Sequence, residues 1–518
     1  MKNFLHRFGN IVLGVLNGFD RLVFRGKLRQ LYSKEGMHCY LSANHVLRKD
    51  FKEHAKQVTA EVLQASLIAQ AKKEDRFQYL GSSRTSKDEV ARAIADKHPV
   101  QEGLVCVLQC VEPCWTFDLK KQDGLLTVRG EPGKCSNLYH YFIHRQFGWM
   151  YARLQTWFPF EMQIYLNGRE WLARQMDREG LKYRRSDNKF LWVEDWQRAQ
   201  ELLNEQLQTN WPSVLDAIQM QVHPLHPGHL GRLPVAYNWT VHQSEWATDV
   251  AFRTPADLER FYDRWVRHAF LNFDSLQIMR FLGRSGRVYD KGSDVQTDLE
   301  RFYEGTCLKH WVNNNSLKMY NHFNVLRPET TINEPKGYRV YRAKENEPNG
   351  EKAWRVLRRS VADMHRRAEV SQAANERYLE ALADVAETKT VKELVEPLCR
   401  RVKEPGKNGK RMMRGLNPMG AEDRSVLTIL SDPKWLVNGI RNRDLVAALY
   451  ATETDDPKEE RSRSARVTRL IRLLRAHGLL HKVKNRHLYQ VTPTARTSIL
   501  ALLAACDANP EELTRKAA

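Results

Sequence analysis

The stretch RSRSARVTRLIRLLRAHGLLHKVKNRHLYQVT, residues 461–492, decides the fold of the C-terminal region because its periodicity is the most regular in the chain. Apolar residues recur in it at helical spacing and form one stripe, made of Val467, Leu470, Ile471 and Leu474. Gly478 follows at the position where helices commonly end in a left-handed residue. Two short β segments around a basic turn come next. The stretch therefore predicts a long amphipathic helix and then a β-hairpin.

Helical patterns flank that stretch on both sides. Residues 425–430 and 442–450 predict two short helices before it, and residues 493–505 predict a last helix after it. Helix, helix, helix, two-stranded wing and helix is the order of a winged helix-turn-helix, and the segment resembles that superfamily over about ninety residues. The resemblance implies that the third helix enters the major groove of duplex DNA.

Basic residues dominate the predicted third helix and wing. Between residues 461 and 487, nine residues are Lys or Arg and none is acidic. Those that a DNA complex would use are Arg463, Arg466, Arg469, Arg472 and Arg475 on the helix, with Lys482, Lys484 and Arg486 on the wing. We interpret them as groove and phosphate contacts to duplex DNA. Two alternatives stay open, a winged helix that contacts protein or RNA and a solvated helix face without a partner.

The whole chain shares this basic character. Its 518 residues carry 82 Lys and Arg against 62 Asp and Glu, a formal net charge of +20. Such a balance favours a polyanionic partner through counterion release, without distinguishing DNA from RNA. The eight cysteines stand at irregular spacings, which indicates reduced thiols in a cytoplasmic protein. The short apolar run at residues 8–20 is broken by Asn17 and predicts neither a signal peptide nor a membrane span.

The length of 518 residues is too great for a single ordinary core, so we predict a multidomain α+β protein with a mixed N-terminal and central body. We divide it into an N-terminal α/β region at 1–100, a β-rich and helical region at 101–240, a hairpin-rich region at 241–345, a helical connector with a basic linker at 346–424, and the winged helix-turn-helix at 425–518. A β run from Gly103 is expected to be interrupted at Pro113, and a helical region is expected to begin near Ala353. Residues 400–419, rich in Gly, Pro and Lys, predict a linker.

A second stretch, WVNNNSLKMYNHFNVLRPETTIN at residues 311–333, predicts two strands at 316–320 and 325–332. Side chains in a strand alternate between its two faces. Lys318 and Tyr320 therefore share a face of the first strand, and Arg327 and Glu329 share a face of the second. If the two strands pair, these four side chains cluster.

Such a cluster has the ingredients of phosphodiester transfer. Tyr320 would attack phosphorus, and Glu329 would help to hold Mg²⁺ or Mn²⁺. Lys318 and Arg327 would neutralise the developing negative charge. Further oxygen ligands are expected from upstream carboxylates, with Asp290 first, then Asp294, Asp298 and Glu304. The alternative is a cross-strand charge pair that only stabilises a hairpin.

The residues FLGR, VYDKGSD and LKMYNHFNVLRPETTIN, in that order, resemble the pattern of rolling-circle replication initiators of plasmids and filamentous phages. In that family a glycine-containing strand precedes a strand ending in Tyr-Asp-Lys and then an Arg-x-Glu strand. This chain departs from the pattern, with Asn321 and His322 in place of Asp-Lys and Pro328 inside the Arg-x-Glu strand. Most of the chain also resembles a family of uncharacterised bacterial proteins associated with mobile elements.

Other residues suggest sites less specifically. Cys106, Cys110 and Cys114, with Cys135 and His140 beyond, have the wrong spacing for a zinc knuckle and are interpreted as buried thiols. In HPLHPGH, residues 223–229, two residues separate the first histidines where nicking enzymes have one, so a loop is predicted. Aromatic residues between 139 and 174 are interpreted as core in preference to base-stacking groups. Asp20, Arg21 and Arg25 form either an ion pair or part of an active site.

The leading hypothesis is a nucleic-acid-binding protein of a mobile or replicating element, with metal-dependent DNA nickase or strand-transferase activity through Tyr320. A non-enzymatic transcriptional regulator is the second hypothesis, and a protein that binds structured RNA is the third. Convergence of Lys318, Tyr320, Arg327 and Glu329 on an upstream carboxylate would favour the enzyme. Motifs for phosphate loops, dinucleotide binding, serine hydrolases and HExxH metalloproteases do not occur in the sequence.

Overall fold

A computed structural model describes most of the chain in two compact units, residues 1–383 and residues 384–518. The described residues are 1–122, 124–223, 236–283, 295–302, 305–344, 347, 349–383, 391–403, 412–432, 434–435, 439–450, 452, 454–483 and 487–507. The predicted α+β multidomain class is confirmed.

The first unit is built on an eleven-stranded, almost entirely antiparallel sheet. Its strands are β1 Val12–Lys27, β2 Phe77–Leu80, β3 Gly103–Gln122, β4 Leu125–His144, β5 Gly148–Gln155, β6 Met162–Asn167, β9 Asn238–Phe252, β10 Val295–Phe302, β11 Gly305–Val312, β12 Asn315–His322 and β13 Val325–Ile332. Two hairpins stand outside it, formed by β7 Tyr183–Ser186 with β8 Lys189–Val193 and by β14 Arg339–Arg342 with β15 Ala353–Val356. The order across the sheet is β10-β11-β12-β13-β9-β1-β6-β5-β4-β3-β2. The segments 1–100, 101–240 and 241–345 all contribute strands to it.

Helices cover both faces of this sheet. They are α1 Lys2–Phe8, α2 Lys34–Ala43, α3 Phe51–Ala65, α4 Ile68–Lys73, α5 Lys87–Lys97, α6 Gly168–Glu179, α7 Trp196–Gln206, α8 Trp211–Val222, α9 Pro255–Asn272, α10 Ser275–Phe281 and α11 Met364–Ala383. α6 and α7 pack against β1, whereas α11 packs against β9 and β13. Asn375 of α11 hydrogen-bonds to Thr330, and Arg169 of α6 pairs with Asp249. Because Thr330 and Glu329 point to opposite faces of β13, Glu329 lies on the face away from α11.

Two sequence predictions for this unit are wrong for identifiable reasons. β3 continues through Pro113, because β2 pairs only with residues 107–110 of β3 and the strand has a free edge at the proline, where no N–H is required. Residues 353–356 form β15 and not the start of a helix, since they pair with β14 from Arg339 to Arg342.

The second unit contains the predicted winged-helix order. Its elements are α12 Val391–Cys399, β16 Val402–Lys403, β17 Met412–Met413, α13 Ala421–Ser431, α14 Asn442–Leu449, α15 Pro457–Ala476, β18 Leu480–Lys482, β19 Tyr489–Val491 and α16 Pro493–Asp507. β18 and β19 pair as the wing, and Ile440 forms a bridge to Tyr489. Gly478 ends α15 with a positive φ of 71°. Val467, Ile471 and Leu474 bury the inner side of α15 in the core.

The predicted basic linker at 400–419 is partly structured. Val402 pairs with Met413, and Leu416 is buried in the core of the second unit. Asp423 holds this segment by accepting two hydrogen bonds from Arg414, both 2.7 Å long. The unit therefore includes α12 and this short hairpin together with the winged helix.

Within the described residues, the helices are too short or too polar to cross a lipid bilayer.

Candidate functional site

A β-bulge in the middle of the sheet shapes the candidate site. β1 pairs with β9 through Phe19 and Trp246 and again through Leu22 and Ser244, so two residues of β1 lie opposite the single residue Glu245. Those two are Asp20 and Arg21. A bulge bends the strand and re-aims side chains, and bulges are frequent beside active sites. Here it brings the Asp20 carboxylate over β9.

Three carboxylates meet next to this bulge, from Asp20 on β1, Glu245 on β9 and Glu329 on β13. Each offers an oxygen atom that lies within 4.8 Å of the corresponding atoms of the other two, and all three residues are buried. We call this cluster the acidic centre. Buried carboxylates repel one another unless cations balance them. The cluster could hold a metal ion.

The four residues predicted from the sequence do converge. β12 and β13 pair with Lys318 opposite Glu329 and Tyr320 opposite Arg327. The Lys318 Nζ donates to Glu329 Oε1 at 2.7 Å, and the Tyr320 hydroxyl donates to Glu329 Oε2 at 3.1 Å. An Arg327 N–H donates to the Tyr320 hydroxyl at 3.3 Å. The two strands pair and the four side chains cluster, as expected for paired strands, and they border the acidic centre.

Arg327 holds the acidic centre in position through hydrogen bonds in the protein's interior. Its guanidinium is fully buried and binds both carboxylate oxygens of Asp249, one of them at 2.8 Å. It also donates to Asp20 at 3.2 Å and to the Asn188 carbonyl at 2.6 Å. Asp249 receives a second cation, because Arg169 lies 3.2 Å away. The Arg327–Asp249 pair is thus part of the protein's interior, and Asp20 connects it to the acidic centre.

Two turns hold the partners of Arg327 in place. A Cβ at Gly168 would lie 2.3 Å from the Phe19 carbonyl oxygen, so glycine lets α6 begin against β1 and bring Arg169 inward. Asn188, between β7 and β8, donates to Asp20 Oδ1 at 2.7 Å. Asn167 in turn donates to Asn188 Oδ1 at 2.8 Å. These contacts orient the Asp20 carboxylate without neutralising it.

The two glutamates of the acidic centre differ in their protonation. Burial tends to raise the pKa of Glu329, but Lys318 and Arg327 outweigh it and lower that pKa to about 2. Burial and the negative charge of Glu329 raise the pKa of Glu245 to about 7, although Lys318 lies 3.9 Å away. Glu245 is the member whose charge the surrounding cations leave least compensated.

Tyr320 is half-buried beside these groups. Burial raises the pKa of its hydroxyl well above the usual value of 10, in spite of Arg327 nearby. The hydroxyl therefore keeps its proton near neutral pH. To act as a nucleophile it would have to release that proton to a neighbouring base, and Glu329 is the carboxylate that it contacts.

A cleft of about 460 Å³ opens over the acidic centre. The three carboxylates form part of its wall, and so do Tyr320 and four basic residues, Arg21, Lys189, Lys309 and Lys318. Arg21 lies 4.0 Å from Glu245 and leaves 48% of its side chain exposed. Cations that border buried carboxylates at an open cleft could receive an anionic group of a substrate.

Pro328 does not disrupt this arrangement, although β13 is an interior strand. β13 pairs with β9 at Leu326 and again from Glu329, and the ladder is interrupted at the intervening residues. Asn375 of α11 donates to the carbonyls of Trp246 and Pro328 at 3.1 and 3.2 Å. A side-chain amide thus supplies hydrogen bonds where the proline has no N–H.

The metal ligands predicted from the sequence differ from those in the structure. Glu329 belongs to the acidic centre as predicted. Asp290, Asp294 and Glu304 lie outside the described residues. Asp298 lies on β10 opposite Lys309, and its carboxylate accepts a hydrogen bond from Gln296 outside the acidic centre.

Sequence reasoning missed Glu245 and Asp249 entirely and left Asp20 undecided. The signal was present in NWTVHQSEWATDVAF, which predicts a strand and carries two carboxylates four residues apart. Four-residue spacing in a strand puts both on one face, and a buried strand rarely carries two acids without a purpose. Arg25 is separate from the centre, since it pairs with Glu161 at 3.0 Å.

The cysteines and histidines weighed as zinc ligands do not gather at the acidic centre, which is the one cluster of potential metal ligands among the described residues. Cys106 and Cys110 are fully buried in β3, in agreement with the buried-thiol interpretation. Cys114 and Cys135 approach each other with 2.9 Å between the sulfur atoms. His223 is buried and contacts the Tyr237 hydroxyl, whereas His226 and His229 lie outside the described residues.

The aromatic residues between 139 and 174 divide into two sets. Phe158 is fully buried and Trp157 packs against the same core, as predicted. Trp149 and Tyr151 are half-buried, and the Arg92 guanidinium lies 4.7 Å above the Trp149 ring.

The arginines of α15 differ in how far their side chains are exposed. Arg466, Arg469 and Arg472 are exposed. Arg463 is half-buried, paired with Glu459 and 4.9 Å above the Tyr450 ring. Arg475 is half-buried near Tyr489, and Lys482 on the wing is exposed. Lys484 and Arg486 lie outside the described residues. Duplex binding by this set stays a prediction.

The resemblances to rolling-circle replication initiators and to the uncharacterised bacterial family also stay predictions. Comparison of the chain with protein-family models, with curated proteins and with solved structures found no match.

Proposed function

We propose that the protein binds nucleic acid and carries out divalent-cation-dependent phosphodiester chemistry at the acidic centre. The observation that carries this proposal is the meeting of Asp20, Glu245 and Glu329 within 4.8 Å in the wall of a cleft that basic side chains also border. Asp20 comes from the strand next to Glu245, and Glu329 from the strand on its other side, so only the folded sheet creates the site.

The donor set favours a hard divalent cation. Carboxylate oxygens suit Mg²⁺, Mn²⁺ and Ca²⁺, whereas zinc and copper sites use nitrogen or sulfur more often. Glu245 has a pKa of about 7, so the cations of the protein leave part of its charge uncompensated. A bound Mg²⁺ or Mn²⁺ would supply that charge, polarise a phosphate oxygen and lower the pKa of a coordinated nucleophile.

The basic side chains of the cleft favour a phosphate as the group that enters it. Lys318 keeps 20% of its side chain exposed while it pairs with Glu329. Lys309 lies directly opposite Lys318 across β11 and β12. Two neighbouring ammonium groups and Arg21 can neutralise non-bridging oxygens as negative charge develops on them. The cleft thus combines carboxylates for a cation with cations for a phosphate.

Tyr320 distinguishes strand transfer from hydrolysis. In strand transfer its hydroxyl oxygen would form a bond to phosphorus, and the bond from phosphorus to the leaving sugar oxygen would break. The phenolic proton would leave by way of Glu329, which accepts it in a hydrogen bond, and would pass on to solvent in the cleft because the low pKa of Glu329 does not retain it. The leaving oxygen would take a proton from solvent. In hydrolysis a water molecule would attack, and Tyr320 would only position Glu329. Strand transfer is the chemistry that a mobile or replicating element needs, and our proposal extends to such an element.

The second unit would deliver the substrate. Its winged-helix order, with Arg466, Arg469 and Arg472 exposed on the third helix, suits a major groove, and Lys482 suits a neighbouring phosphate. Binding of duplex DNA through this unit would bring a strand to the same chain that carries the acidic centre.

Cleavage assays with labelled substrates test the proposal. Supercoiled plasmid, single-stranded DNA and folded RNA are incubated with the full chain in Mg²⁺, Mn²⁺ or EDTA. We expect nicked or cleaved product only with the divalent cation, and a loss of at least about a hundredfold in Asp20→Asn, Glu245→Gln and Glu329→Gln. Asp298→Asn is the matched control, because that carboxylate lies outside the acidic centre.

Tyr320→Phe separates the two mechanisms. If Tyr320 is the nucleophile, labelled DNA should become covalently attached to the wild-type chain and not to this variant, and peptide mapping should locate the adduct at Tyr320. Cleavage without an adduct would assign hydrolysis. Equal product from wild type and from all three acidic-centre variants would overturn the proposal.

A non-enzymatic winged-helix regulator is the second candidate function. This candidate is favoured by the ion pairs that Asp249 forms with Arg169 and Arg327. All three side chains have 0% exposure, as is usual for ion pairs that only support the core. On this alternative the acidic-centre variants would leave DNA binding unchanged, and neither they nor the wild type would cleave nucleic acid. Competition between duplex DNA and folded RNA at matched salt then identifies the nucleic acid.

A further inference from the structure

The β14–β15 hairpin lies outside the large sheet and contacts the rest of the first unit through one of its two sides. Its inner side packs against the first unit, since Val340, Arg342 and Leu357 are buried. Leu357 N–H donates to the Tyr338 carbonyl at 2.9 Å, which extends the pairing of the two strands. The chain leaves the hairpin by pairing beside β9, where Val241 N–H donates to the Arg359 carbonyl at 2.7 Å. The hairpin is thus held from one side only.

Its outer side presents two large aromatic side chains to solvent. Tyr341 and Trp354 lie directly opposite each other across the two strands, with ring centroids 5.7 Å apart. Tyr341 is 59% exposed and Trp354 is 65% exposed. Single exposed apolar side chains are common, but a contiguous aromatic pair with Val356 beside it marks a binding surface. The fold does not need these rings, because the buried residues lie on the other side.

Positive charge surrounds the aromatic pair. Residues 336–359 include eight Lys or Arg and three Glu. Arg339 shares the outer side with Tyr341, because side chains two residues apart in a strand point the same way, and Arg339 is exposed. Lys352 is exposed immediately before β15, two residues ahead of Trp354. Each ring therefore has an exposed cation two residues before it in the chain.

We propose that the outer side of this hairpin binds an unpaired segment of nucleic acid, with bases stacked on Trp354 and Tyr341 and phosphates held by Arg339 and Lys352. Flat rings flanked by cations are the combination that binds single strands, because stacking accepts any base and the charges follow the backbone. In a duplex the base faces are already stacked on each other and are not available to the rings. The net positive surroundings also disfavour a basic or neutral peptide as the occupant.

This surface goes beyond the proposed function, since it requires neither a metal ion nor the winged helix. It would hold a strand in the same unit as the acidic centre, whether or not that centre is catalytic. Its failure and the failure of the phosphodiester proposal can therefore be distinguished in the same set of proteins.

Binding of fluorescein-labelled (dT)20 to the full chain in EDTA tests the inference, with anisotropy as the readout at fixed salt. We expect the Tyr341→Ala/Trp354→Ala variant to lose about tenfold or more in affinity for (dT)20. Its affinity for a 20-base-pair duplex should stay within about twofold, because the winged helix is unchanged. Trp354→Phe should recover most of the loss, since phenylalanine retains a stacking face.

Matched controls keep the result specific. Phe270→Ala removes another exposed aromatic side chain of the same unit, 48% exposed on α9, and should leave (dT)20 affinity unchanged. Arg339→Glu/Lys352→Glu should lower affinity and flatten its dependence on salt. An unchanged (dT)20 affinity in the double alanine variant would overturn the inference. So would an equal loss for duplex, or a change in the oligomeric state as the only effect, which would assign the pair to contacts between proteins.

Discussion

Replacement of Glu245 by glutamine should stabilise the metal-free protein at alkaline pH. Glu245 is only 6% exposed and has a pKa of about 7, against an ordinary value of 4.5. Between these two pH values the folded chain binds a proton that the unfolded chain has lost. The free energy of unfolding therefore falls as the pH rises from about 4.5 through about 7, and the loss is complete above that.

The size of this effect follows from the two pKa values. Their difference corresponds to about 3 kcal/mol of cost for the ionised carboxylate. Glu245→Gln removes the charge but keeps an oxygen that can accept the 2.8 Å hydrogen bond from Gln243. In EDTA at pH 8 the variant should gain up to about 3 kcal/mol, which corresponds to roughly 4 °C in Tm for a unit of this size. At pH 5 the gain should vanish, because wild-type Glu245 is then protonated.

Thermal unfolding at pH 5 and pH 8, with EDTA and with Mg²⁺ or Mn²⁺, measures both parts of this prediction. The cation should stabilise the wild type at pH 8 and leave Glu245→Gln almost unaffected, since the variant has lost a charged ligand. Glu53→Gln, whose parent side chain is 81% exposed on α3, is the control and should change neither quantity. The reasoning is refuted if Glu245→Gln has the same stability relative to wild type at both pH values, or is less stable at pH 8.

Three further predictions concern groups around the site and in the second unit. Arg327→Ala removes a cation from beside the buried Asp249 and Asp20 and should lower the free energy of unfolding in urea by about 3–5 kcal/mol. Arg21→Ala is the control: its side chain is 48% exposed, and the loss should be less than about 1 kcal/mol. Asn375→Ala removes the donors to Trp246 and Pro328 and should cost about 1–3 kcal/mol in the same assay, with no change at the exposed Gln57→Ala. Arg466→Glu/Arg469→Glu should weaken duplex binding by about tenfold or more. It should also reduce the slope of log affinity against log salt by about 2. Unchanged duplex affinity in this folded variant would remove the basis for the winged-helix interface.

The first unit has three regions that we expect to serve different purposes: the buried network around Arg327, the acidic centre and the exposed hairpin. Buried groups around Arg327 carry balanced charge and give the sheet a fixed geometry. Glu245 and Lys318 lie at the border of the cleft, where the balance is incomplete and a ligand can alter it. The hairpin from Arg339 to Val356 adds a surface whose aromatic side chains contribute little to folding. Variants of these three regions should therefore separate stability, chemistry and strand binding.

Local features were predictable because they depend on neighbours in the sequence. Gly478 takes the left-handed conformation that ends α15, as predicted from its place after the apolar stripe. The shared faces of Lys318 with Tyr320 and of Arg327 with Glu329 followed from alternating side chains, and the pairing of β12 with β13 brings the four together. Periodicity alone misassigned residues 353–356, where pairing with a strand eleven residues upstream outweighs helical spacing.

By itself, the sequence determined the α+β class, the winged-helix order and the clustering of Lys318, Tyr320, Arg327 and Glu329, because each rests on periods and turns within a few dozen residues. Only the tertiary structure decided which carboxylates join them. Asp20 and Glu329 are separated by more than three hundred positions in the chain and meet because β9 lies between β1 and β13. Neighbours in such a sheet are fixed by burial of its faces against α6, α7 and α11, and that long-range packing leaves no local pattern in the chain.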